Sequence, residues 1–218
     1  FRLTTIHRQQ GGSTIIDNAL KICNGRTDMV TDSKFHILRK ANSGEILQTF
    51  RELSAELKEK YGLMGYQAIG IMKKGDCGVN NLNLFSQVMF HEDEDTHVYV
   101  GGQGYYLGDK IMTVRNNYEQ GYMNGDIGIL SDCNRKDIYM KCGEKKLIID
   151  AGEEEDLTLA YAITTHKSQG SEADAIIFVI PADTPEILLE NALIYVGVTR
   201  AKKEIYILTE GNALERGI

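Results

Sequence analysis

Three short segments hold residue types that could act on an anion. The first is Ala160-Tyr-Ala-Ile-Thr-Thr-His-Lys-Ser-Gln-Gly-Ser-Glu172. An apolar, strand-like run ends in Thr164, Thr165, His166 and Lys167, and Gln169, Gly170 and Glu172 follow. Hydroxyls, a cation and free backbone amides at a strand end suit an anion such as a phosphate. A polar strand-to-helix connection would have the same composition. The second segment is Leu193-Ile-Tyr-Val-Gly-Val-Thr-Arg-Ala-Lys-Lys203, where Arg200 follows an apolar helical run and a threonine. An arginine fixed at a helix end can reach a neighbouring phosphate, whereas most arginines are solvated surface groups. The third is Leu3-Thr-Thr-Ile-His-Arg-Gln9, with Arg8 ending a short strand-like run.

The elements that must position these residues follow from periodicity. Ile15, Ile16, Ala19, Leu20 and Cys23 recur at helical spacing, with Gly25 as a stop. Phe35 to Leu38 suits a strand. Asn42 and Glu45 form a capping pair for a helix marked by Ile46, Phe50, Leu53 and Leu57 and ended by Gly62. Tyr66 to Met72 reads as a buried strand. From His97 to Asp150 short strand-like runs alternate with turns: His97–Val100, Lys110–Arg115, Ile127–Leu130, Asp137–Lys141 and Lys145–Ile149. Asn124-Gly125 is a hairpin signal, because both residues tolerate positive φ. This stretch predicts a small antiparallel barrel. Beyond it, Leu159–Thr164 and Glu204–Leu208 read as strands and Glu186–Val196 as a helix. Ala175–Ile180 is a continuous apolar run of the kind found in a parallel strand covered on both faces. The expected organisation is a discontinuous α/β domain, 1–90 and 157–218, interrupted by a β domain at 91–156.

The bulk properties bound the function. The chain has 218 residues, a net charge of −7, 42% hydrophobic residues and 2 prolines, an ordinary globular composition. No apolar run is long enough for a membrane span, and no signal peptide is evident at the N-terminus. The four cysteines read as reduced thiols of a cytoplasmic protein, with a Cys133–Cys142 bridge across a hairpin as the alternative. An acidic total counts against a nucleic-acid partner. The charge is unevenly divided, however. Residues 91–156 hold 15 acidic and 7 basic residues, which leaves 16 acidic and 17 basic residues for the rest of the chain.

Taken together, the three segments resemble motifs of superfamily 1 helicases in order and spacing. Thr164-Thr165-His166-Lys167-Ser168-Gln169-Gly170-Ser171-Glu172 resembles motif V, Val198-Thr199-Arg200-Ala201-Lys202-Lys203 resembles motif VI, and His7-Arg8-Gln9 resembles motif IV. The likeness is greatest to the RecD-like branch, the exodeoxyribonuclease V alpha subunits and their stand-alone relatives. Met72–Gly78 followed by Asn81-Leu-Asn83 and Gln87 looks like the segment ahead of that branch's inserted domain. Gly108-Asp109-Lys110, Asn116-Asn117-Tyr118 and Asn124–Gly128 look like its SH3-like barrel.

The resemblance implies a RecA-like, P-loop-type second motor domain interrupted by an SH3-like barrel. It implies that Arg8 and Arg200 approach the γ-phosphate of ATP, and that Gln169, Gly170 and Glu172 lie beside the nucleotide. Thr164, Thr165, His166, Asn83 and Asn117 would contact single-stranded DNA, although tight-turn chemistry accounts equally well for Asn117. ATP and Mg2+ would be bound mainly by a first motor domain. Nuclease and helicase subunits of an exonuclease V complex are further implied partners, with no membrane partner. No G-x-x-x-x-G-K-[ST] occurs, and neither does the dipeptide Gly-Lys. The acidic run Asp93-Glu94-Asp95 follows motif IV instead of preceding it, so it reads as a solvated boundary loop and not as a Walker B strand. The chain is therefore expected to be the C-terminal half of an ATP-dependent 5′ to 3′ DNA helicase, inactive by itself. A non-motor binding module and the helicase part of a conjugative relaxase are the alternatives.

Overall fold

The computed structural model describes residues 13–92, 98–100, 103–134, 137–150, 152 and 154–218. In chain order the elements are α1 (Thr14–Cys23), β1 (Phe35–Lys40), α2 (Ser43–Tyr61), β2 (Tyr66–Gly70) and α3 (Val79–Phe90). Then come β3 (Val98–Val100), β4 (Gln103–Tyr105), β5 (Lys110–Thr113), β6 (Ile127–Cys133), β7 (Asp137–Cys142), β8 (Lys145–Asp150) and β9 (Leu157–Leu159). The last are β10 (Ala162–Thr164), β11 (Ala173–Ile180), α4 (Asn191–Val198), β12 (Ala201–Glu210) and α5 (Ala213–Arg216). They form two compact units. One comprises the described residues up to Asn81 together with Ala162–Ile218, and the other is Leu82–Tyr161.

The first unit is a parallel sheet of five strands in the order β1-β12-β11-β2-β10. β2 is buried along its whole length and β11 at every position but Asp174, so both faces of these central strands are covered. The apolar run Ala175–Ile180 thus lies where a parallel strand demands it. α2 starts at the expected cap. The Glu45 amide donates to Asn42 Oδ1 at 3.0 Å, and Glu45 Oε2 accepts from the Ala41 amide at 3.1 Å. Gly62 ends the helix with φ +73°.

The second unit holds an antiparallel sheet in the order β8-β7-β6-β5-β9 and a separate β3–β4 hairpin. It extends beyond 91–156 at both ends, because the second half of α3 and Tyr161 share buried hydrogen bonds with it. Several elements differ from expectation. Leu159–Thr164 is not one strand: β9 belongs to the antiparallel sheet and β10 to the parallel one. Glu186–Val196 is not one helix. A single 3₁₀ turn at Glu186–Leu188 ends where Leu189 leaves helical angles and Glu190 is extended, and α4 begins after them. α3, β4 and α5 have no counterpart among the elements expected from periodicity. All four cysteines are free thiols; Cys133 pairs across from Ile138 and Cys142 across from Lys145, which places them at opposite ends of the β6–β7 ladder. No helix among the described residues is long and apolar enough to cross a membrane.

Candidate functional site

The sequence motifs lie at opposite ends of the parallel strands. The start of β12 pairs with the start of β11, Ala201 opposite Ala173, and Arg200 and Glu172 immediately precede these residues. At the other end of the strands Thr164 ends β10 opposite Gly70, the last residue of β2, which in turn pairs with Val179.

Arg200 is set by α4. This short helix is apolar and packs closely against β11. A Cβ on Gly197 would come within 2.7 Å of the Phe178 ring, so only glycine permits the approach. Thr199 caps the helix and donates its hydroxyl to the Val196 carbonyl at 3.0 Å. Arg200 is buried, and its guanidinium is held on three sides. Nε donates to Val196 O at 3.1 Å, Nη1 to Ser171 O at 3.2 Å and Nη2 to Thr199 Oγ1 at 3.2 Å. These three acceptors are neutral and fix the orientation of the fork. The Ala173 amide donates to Arg200 O at 3.1 Å, which stitches the two motif segments together through the main chain. Lys202 adds a loose ion pair to Glu172 at 3.8 Å. Gln169, Gly170 and Glu172 are exposed, and Gly170 adopts φ +87°, which a side chain would resist.

The segment after β10 is built by its own hydroxyls. The Thr165 amide and hydroxyl both donate to Gly70 O, at 3.1 and 3.4 Å. Thr164 Oγ1 accepts from the Lys167 amide at 3.3 Å, and Ser168 Oγ donates to Thr165 O at 2.7 Å. Thr164 and Thr165 are therefore buried parts of the turn, and His166 is the exposed member of this trio. The half-buried Lys167 ammonium is held below the usual lysine range, by burial first and by the charge of Lys73 second. Lys73 lies in the loop after β2. The sequence reading missed it, because its proximity to Lys167 depends on β2 and β10 being sheet neighbours.

Asn83 and Asn117 belong to the antiparallel unit. Asn83 is buried on α3. Asn117 Oδ1 accepts from the amides of Glu119 and Gln120, both at 3.1 Å, an Asx turn that engages the side chain in local structure. Asn116 Oδ1 likewise accepts from the Asn124 amide at 2.7 Å. Arg8 and the acidic residues 93–95 lie outside the described residues. No group of three or more His, Cys, Asp or Glu side chains among the described residues could hold a metal ion.

Two family models match the chain: the UvrD-like helicase C-terminal domain over residues 159–208, and the SH3 domain of ATP-dependent RecD-like DNA helicases over residues 82–150. The RecBCD enzyme subunit RecD of Buchnera aphidicola is 30% identical over 179 residues, which is 80% of this chain and 27% of that protein. The ATP-dependent RecD2 DNA helicase of Deinococcus radiodurans is 24% identical over 213 residues, 98% of this chain and 29% of that one. The chain thus spans less than a third of these relatives. Among solved structures, the Pif1 helicase from Bacteroides in complex with ADP-AlF3 and ssDNA superposes over 100% of this chain and 53% of its own, with a TM-score of 0.63 and 18% identity. A second Pif1 structure, of two coordinating helicases on forked dsDNA, has a TM-score of 0.56 and 21% identity, covering 94% of this chain and 48% of its own. These two establish likeness of fold.

Proposed function

Since the chain belongs to the RecD-like superfamily 1 helicases, with their UvrD-like C-terminal domain and their SH3 domain, we propose that it serves as the second motor domain and barrel of an ATP-dependent, 5′ to 3′ DNA helicase. The observation that carries this reading is the Arg200 seam. A buried, permanently charged fork is aimed by neutral acceptors drawn from both motif V and motif VI. Charge of that kind stabilises the oxygens of a transferring phosphoryl group, an effect worth about 10³–10⁵ in rate for arginine fingers. Arg8 is the second proposed phosphate contact, and Gln169, Gly170 and Glu172 the proposed nucleotide rim. ATP and Mg2+ would be held chiefly by the first motor domain, so the isolated chain is expected to hydrolyse no ATP.

The opposite end of the strands, after β10, is the proposed grip on single-stranded DNA. His166 supplies a side chain there, Lys73 and Lys167 supply positive charge, and Thr164 and Thr165 shape the turn that presents them. Contacts from the antiparallel unit at Asn83 and Asn117 belong to the same proposal, as does association with nuclease and helicase subunits. The test is Arg200→Ala in the whole protein. Turnover of ATP stimulated by single-stranded DNA should fall by about 10³ or more, with DNA affinity within about threefold of the parent. Near-normal turnover would refute the role of Arg200, and DNA-stimulated ATPase in the isolated 218-residue chain would refute the division of labour.

A further inference from the structure

The antiparallel unit is joined to the rest of the chain at two places. α3 enters it at Leu82, and the chain leaves it after Tyr161, directly ahead of β10. Both crossings are tied to the same buried carboxyl group. Asp109 lies just before β5 and has no exposed surface. From the entering helix, Gln87 Nε2 donates to Asp109 Oδ2 at 2.6 Å, and His91 Nε2, just past the helix end, lies 3.1 Å from Oδ1. From the exit, the Tyr161 hydroxyl donates to Oδ1 at 2.7 Å. The Tyr106 amide donates to Oδ2 at 2.8 Å, and the Asp109 carbonyl accepts from the Leu130 amide on β6 at 2.9 Å. Ring contacts reinforce the knot: His91 stacks on Tyr106 at 4.7 Å, and Phe90 meets Tyr161 at 5.6 Å.

An inserted domain hung on two chain crossings can pivot wherever those crossings are free. Here the incoming helix, the outgoing segment and the sheet converge on one acceptor group. We infer that Asp109 is a positioning residue: it locks the exit at Tyr161, so that load on the barrel reaches β10 and the Thr164–His166 turn instead of being lost at a loose neck. The functional half of this inference rests on the helicase reading above, and the mechanical half does not. Asp109→Asn keeps the shape of the site, but an amide N–H₂ in the place of Oδ2 meets the donors Gln87 Nε2 and the Tyr106 amide, and one in the place of Oδ1 is accommodated only if the Tyr161 hydroxyl and His91 Nε2 turn from donors to acceptors. Tyr161→Phe keeps the buried ring and removes one donor to Asp109.

The experiment uses the whole protein with each substitution and two readouts. Hydrogen exchange should accelerate by about tenfold or more at the amides of residues 162–166 in Asp109→Asn, and less in Tyr161→Phe, with β11 and β12 unchanged. ATP turnover stimulated by single-stranded DNA should stay within about twofold, while base pairs opened per ATP fall by about fivefold or more. Unchanged exchange at residues 162–166 in both variants would overturn the lock. So would exchange that rises equally through β11 and β12, which would mean general loss of fold. Accelerated exchange with an undiminished yield of base pairs per ATP would overturn the coupling. If Asp109→Asn does not fold, Tyr161→Phe decides by the same criteria. If the parent protein has no DNA-stimulated ATPase, the helicase reading fails, and the exchange data alone still decide the lock.

Discussion

In the parallel unit the buried run Ala175–Ile180 of β11 is apolar on both faces, few polar side chains such as Gln67 and Glu204 are buried on the strands, and the buried cation Arg200 sits just ahead of β12, where a charge is useful to an incoming anion. In the antiparallel unit Asp109, Lys110 and Asp156 are buried at or beside the strands themselves, with Gln87, His91 and Thr113 around them. The difference follows from size. A unit as small as Leu82–Tyr161 cannot build a thick apolar core, so satisfied polar networks must supply much of its definition. Packing should therefore dominate the energetics of one unit, and polar satisfaction and pH those of the other.

The largest effect is expected in the parallel unit. Phe178 is fully buried on β11 with its ring against Gly197 of α4. Phe178→Ala should destabilise this unit by about 3–5 kcal/mol through lost transfer energy and an unfilled cavity. Urea unfolding followed through the exchange protection of β11 and β12 measures it. A loss below about 1 kcal/mol would show that packing is not what separates the two units.

Lys110 offers the sharpest contrast in pH dependence. Burial pushes its ammonium down to about 7 from an ordinary 10.5. The unfolded chain holds this proton up to about pH 10.5, and the folded chain releases it above about 7. Between those values the unfolded state binds more protons, so stability must rise with pH; below about 7 the full penalty remains. Lys110→Met keeps the aliphatic stem, and it should stabilise the antiparallel unit by about 1–3 kcal/mol at pH 7 and flatten its rise toward pH 10. A thermal unfolding series from pH 6 to about 10 tests both effects. Destabilisation at pH 7, or an unchanged slope, would sink the idea.

A hydrogen bond inside the antiparallel unit gives a smaller effect. The hydroxyl of the fully buried Tyr122 donates to Asp156 Oδ2 at 2.9 Å. Tyr122→Phe leaves the ring in place and deprives the carboxyl of a donor, at a cost of about 1–2 kcal/mol. Asp156 also faces Arg115 at 3.4 Å, but that arginine is largely exposed and its pairing is weak. If Tyr122→Phe proves neutral in denaturant titration, the network does not define this unit.

Much of the parallel unit was legible because its signals are local. The Asn42–Glu45 cap, the stop at Gly62 and the run Ala175–Ile180 each carry their cause within a few residues. The antiparallel strands were legible from turn spacing and Asn124-Gly125. What escaped depends on tertiary partners. α3 reads Val-Asn-Asn-Leu-Asn-Leu-Phe-Ser-Gln-Val-Met-Phe, in which three asparagines disfavour a helix; its helical state reflects packing around Gln87 and Ser86. Leu159–Thr164 has no turn residue to show that it passes from one sheet to another. The site was legible as motifs but not as geometry. Nothing local indicates that Thr164 and Thr165 are buried, that Asn117 is engaged in a turn, or that Lys73 meets Lys167.

The smallest predicted effect returns to the parallel unit and separates local stability from packing. Asn42→Ala removes the acceptor of the Glu45 amide and leaves Glu45 Oε2 on the Ala41 amide, so the loss should be about 1 kcal/mol. α2 also packs on β11 and β12, through a face that includes the buried Ile46, Phe50, Leu53 and Leu57. That face is untouched by the substitution. Faster exchange should then be confined to the first turn of α2, with β11 still protected. If instead protection fell together across α2, β11 and β12, the cap would be part of the packed core, and the contrast between a unit defined by packing and one defined by polar contacts would have to be redrawn.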